Sequence, residues 1–198
     1  MPLRARARAM LAAALLAALS ACASAPDDSR PRDVENACAM FRERPHWAEA
    51  VREAERRWGA PAHVQLAIIW RESAFVADAR PFGRPVMGVL PAKPLSSAYG
   101  FSQAIDGTWD WYLKETGARK AERDRFADAA DFVGWYMAKT TDMNGVAMGD
   151  AFAQYLNYHE GHTGFRRGGW QSKDWLLRAA AEVSAKAEVY RAQMARCT

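Results

Sequence analysis

A carboxyl group at the end of an apolar helix is the clearest chemical signal in this chain. The segment is Trp70-Arg71-Glu72-Ser73-Ala74-Phe75. The negative end of the helix dipole and the apolar neighbours both favour the protonated form of Glu72. A general acid for glycoside cleavage needs a carboxyl group in that state. Most glutamates near helix ends are solvated, so this segment alone does not establish catalysis.

Two later segments carry groups that could bind a sugar. Residues 98–103 leave a proline-rich stretch, turn at Gly100 and are expected to enter a helix at Ser102. The Gln103 amide offers a donor and an acceptor there, which suits an acetamido sugar, although Ser102 or Gln103 could simply cap the helix. Residues 155–164 combine an amide, aromatic rings and a carboxylate before a glycine-rich turn, a composition typical of a sugar-binding wall.

The elements that must position these groups are almost all helices, because apolar residues recur at three- and four-residue steps. We predict a mostly α class, with a proline-rich loop or a small β element near residues 79–98. The expected helices cover residues 47–58 (ended by Gly59), 61–75, 102–116, 128–141, 149–160 and 173–196, with a glycine-rich turn at 163–171.

Taken together and in this order, the three segments resemble the lysozyme-like lytic transglycosylases of the soluble type. In that family the catalytic Glu is followed by Ser and then, one residue later, by an aromatic residue, as in Glu72-Ser73-Ala74-Phe75. The family's Gly-Leu-Met-Gln turn corresponds to Gly100-Phe101-Ser102-Gln103. Its Ala-Tyr-Asn segment corresponds to Tyr155-Leu156-Asn157, where Leu156 departs from the usual Tyr and Tyr155 or Tyr158 could replace it. The resemblance covers roughly residues 60–165.

The resemblance implies a lysozyme-like (α+β) single domain that cleaves peptidoglycan strands with one carboxyl group and without a cofactor or metal. Glu72 would protonate the β-1,4 oxygen between N-acetylmuramic acid and N-acetylglucosamine, while the 2-acetamido group stabilises the developing positive charge. Glu72 would then deprotonate the C6 hydroxyl, giving a 1,6-anhydro end rather than the hydrolysis product of a two-carboxylate enzyme. The residues expected to position substrate are Ser73, Tyr99, Gln103, Asn157, Tyr158 and Glu160.

Two other functions stay open at this point. Glu160 could be a second catalytic carboxylate, which would make the protein a hydrolytic muramidase, or it could bind a sugar hydroxyl or brace Glu72. A non-catalytic peptidoglycan-binding envelope lipoprotein could keep the same fold. Residues 159–162, His-Glu-Gly-His, lack the histidine spacing of a zinc protease, so we expect no metal.

The eight tryptophans could line a sugar cleft or fill the core. At helical spacing most such residues are buried, so we place Trp70 and Trp135 in the core. Trp109, Trp111 and Trp170 are the cleft candidates.

The start of the chain resembles a bacterial lipoprotein signal. A basic segment precedes an apolar run of about 11 residues, which is too short to span a membrane. Leu19-Ser20-Ala21-Cys22 then resembles a lipobox, in which the cysteine is lipidated and becomes the new N-terminus. We expect a signal peptide at 1–21, lipidated Cys22 and a flexible tether at 22–37, and the catalytic domain at 38–198. Ala23 favours the outer membrane, facing the periplasm.

Removing residues 1–21 takes away three arginines and no acid, so the formal charge falls from +4 to +1. Nucleic acid is therefore not an expected partner. The expected partners are glycan strands and, through Cys22, a membrane, and we expect a monomer. In an oxidising compartment Cys38 and Cys197 are expected to pair, although both could stay free.

Overall fold

The computed structural model describes residues 26–81 and 94–197. Within these ranges the chain forms seven α-helices and a short 3-10 helix at Gly169–Ser172, which confirms a helix-rich fold. The helices are α1 (Ala37–Glu43), α2 (Pro45–Trp58), α3 (Ala62–Ser73), α4 (Asp106–Thr116), α5 (Phe126–Asn144), α6 (Ala151–Arg167) and α7 (Asp174–Met194). In this described part, no helix is long and apolar enough to cross a membrane.

The turn that follows α3 is strained and well packed. Ala74 and Phe75 both have left-handed backbone angles, with φ of 49° and 61°. Such angles are costly for residues other than glycine and persist where the surroundings hold them. The Phe75 ring is fully buried and stacks on Trp47 at 5.6 Å between ring centroids, and Trp47 stacks on Phe126 at 4.0 Å. This aromatic cluster therefore fixes the end of α3, where Glu72 lies.

The helix expected from Ser102 begins four residues later, at Asp106. Residues 100–103 form a turn, closed by a β-bridge between Tyr99 and Ala104. The Phe101 N–H donates to the Arg123 carbonyl at 3.1 Å. A Cβ on Gly100 would lie 2.1 Å from that same carbonyl oxygen, so only glycine fits there. This long-range contact holds the segment out of a helix.

The prediction of a glycine-rich turn at residues 163–171 is wrong over most of that range. Helix α6 bends at Gly161, whose backbone angles are not helical (φ 72°, ψ 156°), and then continues to Arg167. The helix resumes because the buried His162 ring stacks on Tyr136 of α5 at 4.4 Å. Gly168, with φ of 74°, is the residue that ends α6.

The segment expected to be a flexible tether is packed on the domain in its described part. Asp28 accepts a hydrogen bond from the Trp47 indole at 2.7 Å and another from the Phe126 N–H at 3.0 Å. The Arg30 Nε donates to the Ala74 carbonyl at 2.8 Å. These contacts reach the aromatic cluster and the strained turn, so residues 28–30 belong to the folded domain.

A disulfide joins Cys38 in α1 to Cys197 beyond α7, with Cα atoms 5.3 Å apart. The predicted pairing is therefore confirmed in this structure. The predicted signal peptide and Cys22, and residues 82–93 of the proline-rich segment, lie outside the described residues.

Candidate active site

Glu72, the second-last residue of α3, lies where two cavities meet. The first, of about 460 Å³, is called here the aromatic cavity. The second, of about 540 Å³, is called the basic cavity. Both are lined by Glu72, Pro81 and Gln103. Among the other residues, Phe132, Tyr136, Tyr158 and Glu160 line the aromatic cavity, and Trp70, Arg71, Ser73, Ala74 and Arg80 line the basic cavity.

The Glu72 carboxyl is poised to exchange a proton near neutral pH. Burial raises its pKa to about 7, although a hydrogen bond from the Tyr155 hydroxyl and the charge of Arg71 act to lower it. Desolvation favours the neutral form of a carboxyl group. A pKa near the working pH suits a group that must first give and then take back a proton.

Gln103 lies at the junction of the cavities, but its amide nitrogen is used inside the protein. The nitrogen donates to the carbonyls of Ala79 at 2.8 Å and Gly100 at 2.7 Å. The backbone of Gln103 itself has a left-handed φ of 50°. Its side-chain carbonyl is therefore the part of the amide that could contact a ligand.

Tyr158 connects α6 to the glycine turn beside Glu72. Its hydroxyl donates to the Ser102 carbonyl at 2.6 Å, and its ring packs edge-on against Tyr136 at 5.0 Å. It lines the aromatic cavity through its ring, because the hydroxyl is already engaged.

Three of the expected substrate residues contact protein groups instead of pointing freely into a cavity. Asn157 is fully buried and bonds to Asn144 and to the Ala153 carbonyl, so it holds α6 against α5. Ser73 lines the basic cavity but is 7% exposed and donates to the Ile69 carbonyl. The Tyr99 hydroxyl donates to Asp124 at 2.9 Å. These three are placed to hold the site's shape.

Glu160 faces the aromatic cavity as a paired anion. The Lys173 ammonium lies 2.7 and 2.8 Å from its two carboxylate oxygens, and His159 Nδ1 lies 3.2 Å from one of them. The Lys173 hydrogen bonds hold the Glu160 pKa below its usual range. The Glu160 side chain is 10% exposed and that of Lys173 is 39% exposed, so the pair is open to solvent on the lysine side. No local pattern predicts this partner, because Lys173 returns to Glu160 only through the 3-10 helix after α6.

His162 has a structural environment rather than that of a metal ligand. Its Nε2 lies 3.1 Å from the Thr140 hydroxyl, and burial lowers its pKa, so the ring is neutral at pH 7. Across the described ranges, no three His, Cys, Asp or Glu side chains form a group that could hold a metal ion.

The tryptophan predictions are partly wrong. Trp135 is fully buried, as expected, but Trp109 also belongs to the core rather than to a cleft. Trp111 and Trp170 are partly exposed, yet neither lines the two cavities at Glu72. Trp70, expected in the core, lines the basic cavity, and the Lys186 ammonium lies 4.6 Å from its ring centroid.

The raised pKa of Glu72 leads to a pH prediction. A general acid must be protonated, so kcat/KM on peptidoglycan is expected to fall about tenfold per pH unit above pH 7. Initial rates of muropeptide release between pH 5 and 9, at constant ionic strength, measure this limb. A rate that stays constant up to pH 9 would contradict the assignment of Glu72 as the acid.

The fold and the site together define a helix-rich, lysozyme-like domain with the carboxyl group of Glu72 at the junction of two cavities. The sequence matches the transglycosylase SLT domain family over residues 10–197, and the chain belongs to this family. The family is that of lytic transglycosylases, which act on the glycan strands of peptidoglycan in the bacterial cell wall. A comparison with curated proteins gives no match.

Proposed function

We propose that this protein cleaves the β-1,4 bond between N-acetylmuramic acid and N-acetylglucosamine and leaves a 1,6-anhydromuramic acid end. Glu72 is the general acid and base of this reaction. The observation that carries the proposal is the half-buried Glu72 carboxyl, with a pKa of about 7, at the junction of two cavities that a glycan strand could cross.

The reaction needs one proton to leave Glu72 and one to return. Glu72 donates its proton to the glycosidic oxygen as the bond to C1 breaks, and the leaving sugar departs with a free hydroxyl. The 2-acetamido group of the muramic acid stabilises C1 from the opposite face. The Glu72 carboxylate then takes the proton of the C6 hydroxyl as its oxygen bonds to C1, so no water is consumed. The Tyr155 hydroxyl stabilises the carboxylate between these two steps.

The neighbouring residues divide into two groups in this proposal. Gln103, Tyr158 and Glu160 contact the sugars, through a carbonyl, a ring and a carboxylate respectively. The second group is Ser73, Tyr99 and Asn157, whose hydrogen bonds within the protein keep the cavity walls in place.

Digestion of purified peptidoglycan by the full-length protein tests the proposal, with the products identified by mass spectrometry. Anhydro ends are the expected result. Reducing ends would instead support the hydrolytic muramidase, which needs Glu160 as a second catalytic carboxylate. That role needs an ionised Glu160 that activates a water or attacks C1, and the Lys173 ammonium disfavours it because it holds both carboxylate oxygens. Binding to peptidoglycan without any release would support the non-catalytic lipoprotein.

We further propose that Cys22 is lipidated and holds the domain at a membrane of the cell envelope, with the outer membrane favoured by Ala23. The support is the lipobox-like sequence, together with membership of a family that acts on the cell wall. Cell fractionation tests this: wild type is expected in the membrane fraction and Cys22→Ser in the soluble fraction. A Cys22→Ser protein that stays with the membrane would overturn the anchor.

A further inference from the structure

The two cavities at Glu72 differ in charge. Besides Glu72, the described residues that line the basic cavity include two arginines, Arg71 and Arg80, and no acid. The residues described around the aromatic cavity include no lysine or arginine, and their other acid is Glu160. Because Glu160 is paired with Lys173, a substrate that spans both cavities meets a cationic lining in the basic cavity and a neutralised one in the aromatic cavity.

Among the described cationic side chains around the basic cavity, Arg80 is the one that can pair with a ligand. Arg71 is paired with Glu182 at 3.4 Å, and Lys186 beside Trp70 is paired with Glu35. Arg30 is engaged by the Ala74 carbonyl. Among the described residues, Arg80 has no carboxylate partner.

Arg80 is also oriented by its neighbours. Its guanidinium lies over the Tyr99 ring, 4.1 Å from the ring centroid, and Tyr99 is held by Asp124. Asp78, two residues earlier, is exposed and does not line the cavity. Stacking of this kind uses the flat face of a guanidinium and leaves its N–H edge for a carboxylate.

The two sugars of a glycan strand, like the two cavities, differ in charge. N-acetylglucosamine is neutral, whereas N-acetylmuramic acid carries, through its lactyl group, a peptide stem with free carboxylates. We propose that the basic cavity receives this stem and that Arg80 pairs with one of its carboxylates, which makes stem-bearing glycan the preferred substrate. This inference rests on the proposed function and names Arg80 as a specificity-determining residue.

The test compares two substrates with the full-length protein: solubilised strands that keep their stems, and the same strands after an amidase has removed them. The readout is the ratio of kcat/KM for the two. Wild type is expected to prefer stem-bearing strands by about tenfold, the effect of one charge-assisted bidentate pair. Arg80→Gln is expected to bring the ratio within about twofold of one, and Arg80→Lys to give an intermediate value. Arg52→Gln, an exposed site on α2 away from both cavities, is the control and should keep the wild-type ratio.

Some results would contradict the stem site, and another would contradict the proposed function. A wild-type ratio near one, or an Arg80→Gln ratio equal to that of wild type, overturns the stem site while the proposed function stands. If wild type cleaves neither substrate, the proposed function fails. Calorimetric binding of a disaccharide-peptide then decides the stem site independently: at least about fivefold weaker binding by Arg80→Gln supports it, and unchanged binding overturns it.

Discussion

Replacing Glu72 with glutamine is expected to lower the rate of muropeptide release by about 1,000-fold, within the range seen when a general acid–base group is removed. Glutamine keeps the size of the side chain and can still accept a hydrogen bond from Tyr155, but it has no proton to give to the glycosidic oxygen. Because one carboxyl group serves both proton transfers, we expect no second residue to compensate. Mass spectrometric counting of anhydro ends measures the loss.

The same substitution is expected to stabilise the protein at high pH. In wild type, the folded-state pKa of Glu72 is about 7, above the ordinary glutamate value of 4.5 that applies in the unfolded chain. Stability from the protonated group is therefore fully present below pH 4.5 and is lost as the pH rises through 7. One pKa unit corresponds to about 1.4 kcal/mol, so the cost at pH 8 is roughly 3 kcal/mol. The glutamine variant avoids it, and its Tm should exceed that of wild type by roughly 5 °C or more at pH 8 and by little at pH 4.

Glu49→Gln provides the matched control, because Glu49 is an exposed glutamate on α2. It should change neither the rate nor the pH dependence of Tm. Release of anhydro ends by Glu72→Gln at more than a tenth of the wild-type rate would remove Glu72 from its proposed role. A lower Tm at pH 8 would show instead that the carboxylate is well solvated.

Removal of the Cys38–Cys197 disulfide should have the largest effect on stability. The bond closes a loop with a sequence separation of 159, and removing such a crosslink costs roughly 2–5 kcal/mol because the unfolded chain gains freedom. For a chain of this size the Tm of Cys38→Ser/Cys197→Ser should fall by roughly 5–15 °C. Activity at low temperature should persist, since neither cysteine lines the cavities at Glu72.

Thermal unfolding with and without a reducing agent checks this prediction. The reducing agent should lower the Tm of wild type toward that of the double variant and leave the double variant unchanged. Equal Tm values for the two proteins without a reducing agent would show that the crosslink adds nothing to stability.

The sequence was sufficient to predict the helical class and most helix positions, because both follow from local patterns. The apolar periodicity locates α2 and α3, Gly59 marks the end of α2, and the end of α3 locates Glu72. The cysteine count and compartment were enough to predict the disulfide.

Contacts between distant segments could not be read from such patterns. Gln103 uses its amide nitrogen within the protein because the chain at Gly100 packs against Arg123, which keeps residues 100–103 out of a helix. Lys173 neutralises Glu160 only because α6 continues past its kink and the 3-10 helix turns the chain back. Trp70 fits an apolar helix pattern, but its position in the last turn of α3 places it beside a cavity.

Asp28 and Arg30 are bound to the folded domain, and this limits the distance from a membrane at which the enzyme could act. If Cys22 carries the lipid, five Cα–Cα steps separate the anchor from Asp27, where the chain contacts the domain through Arg44. A fully extended chain covers at most about 18 Å over five steps. The domain would then lie directly against the bilayer surface, and glycan strands would be cut only where they come within one protein diameter of it.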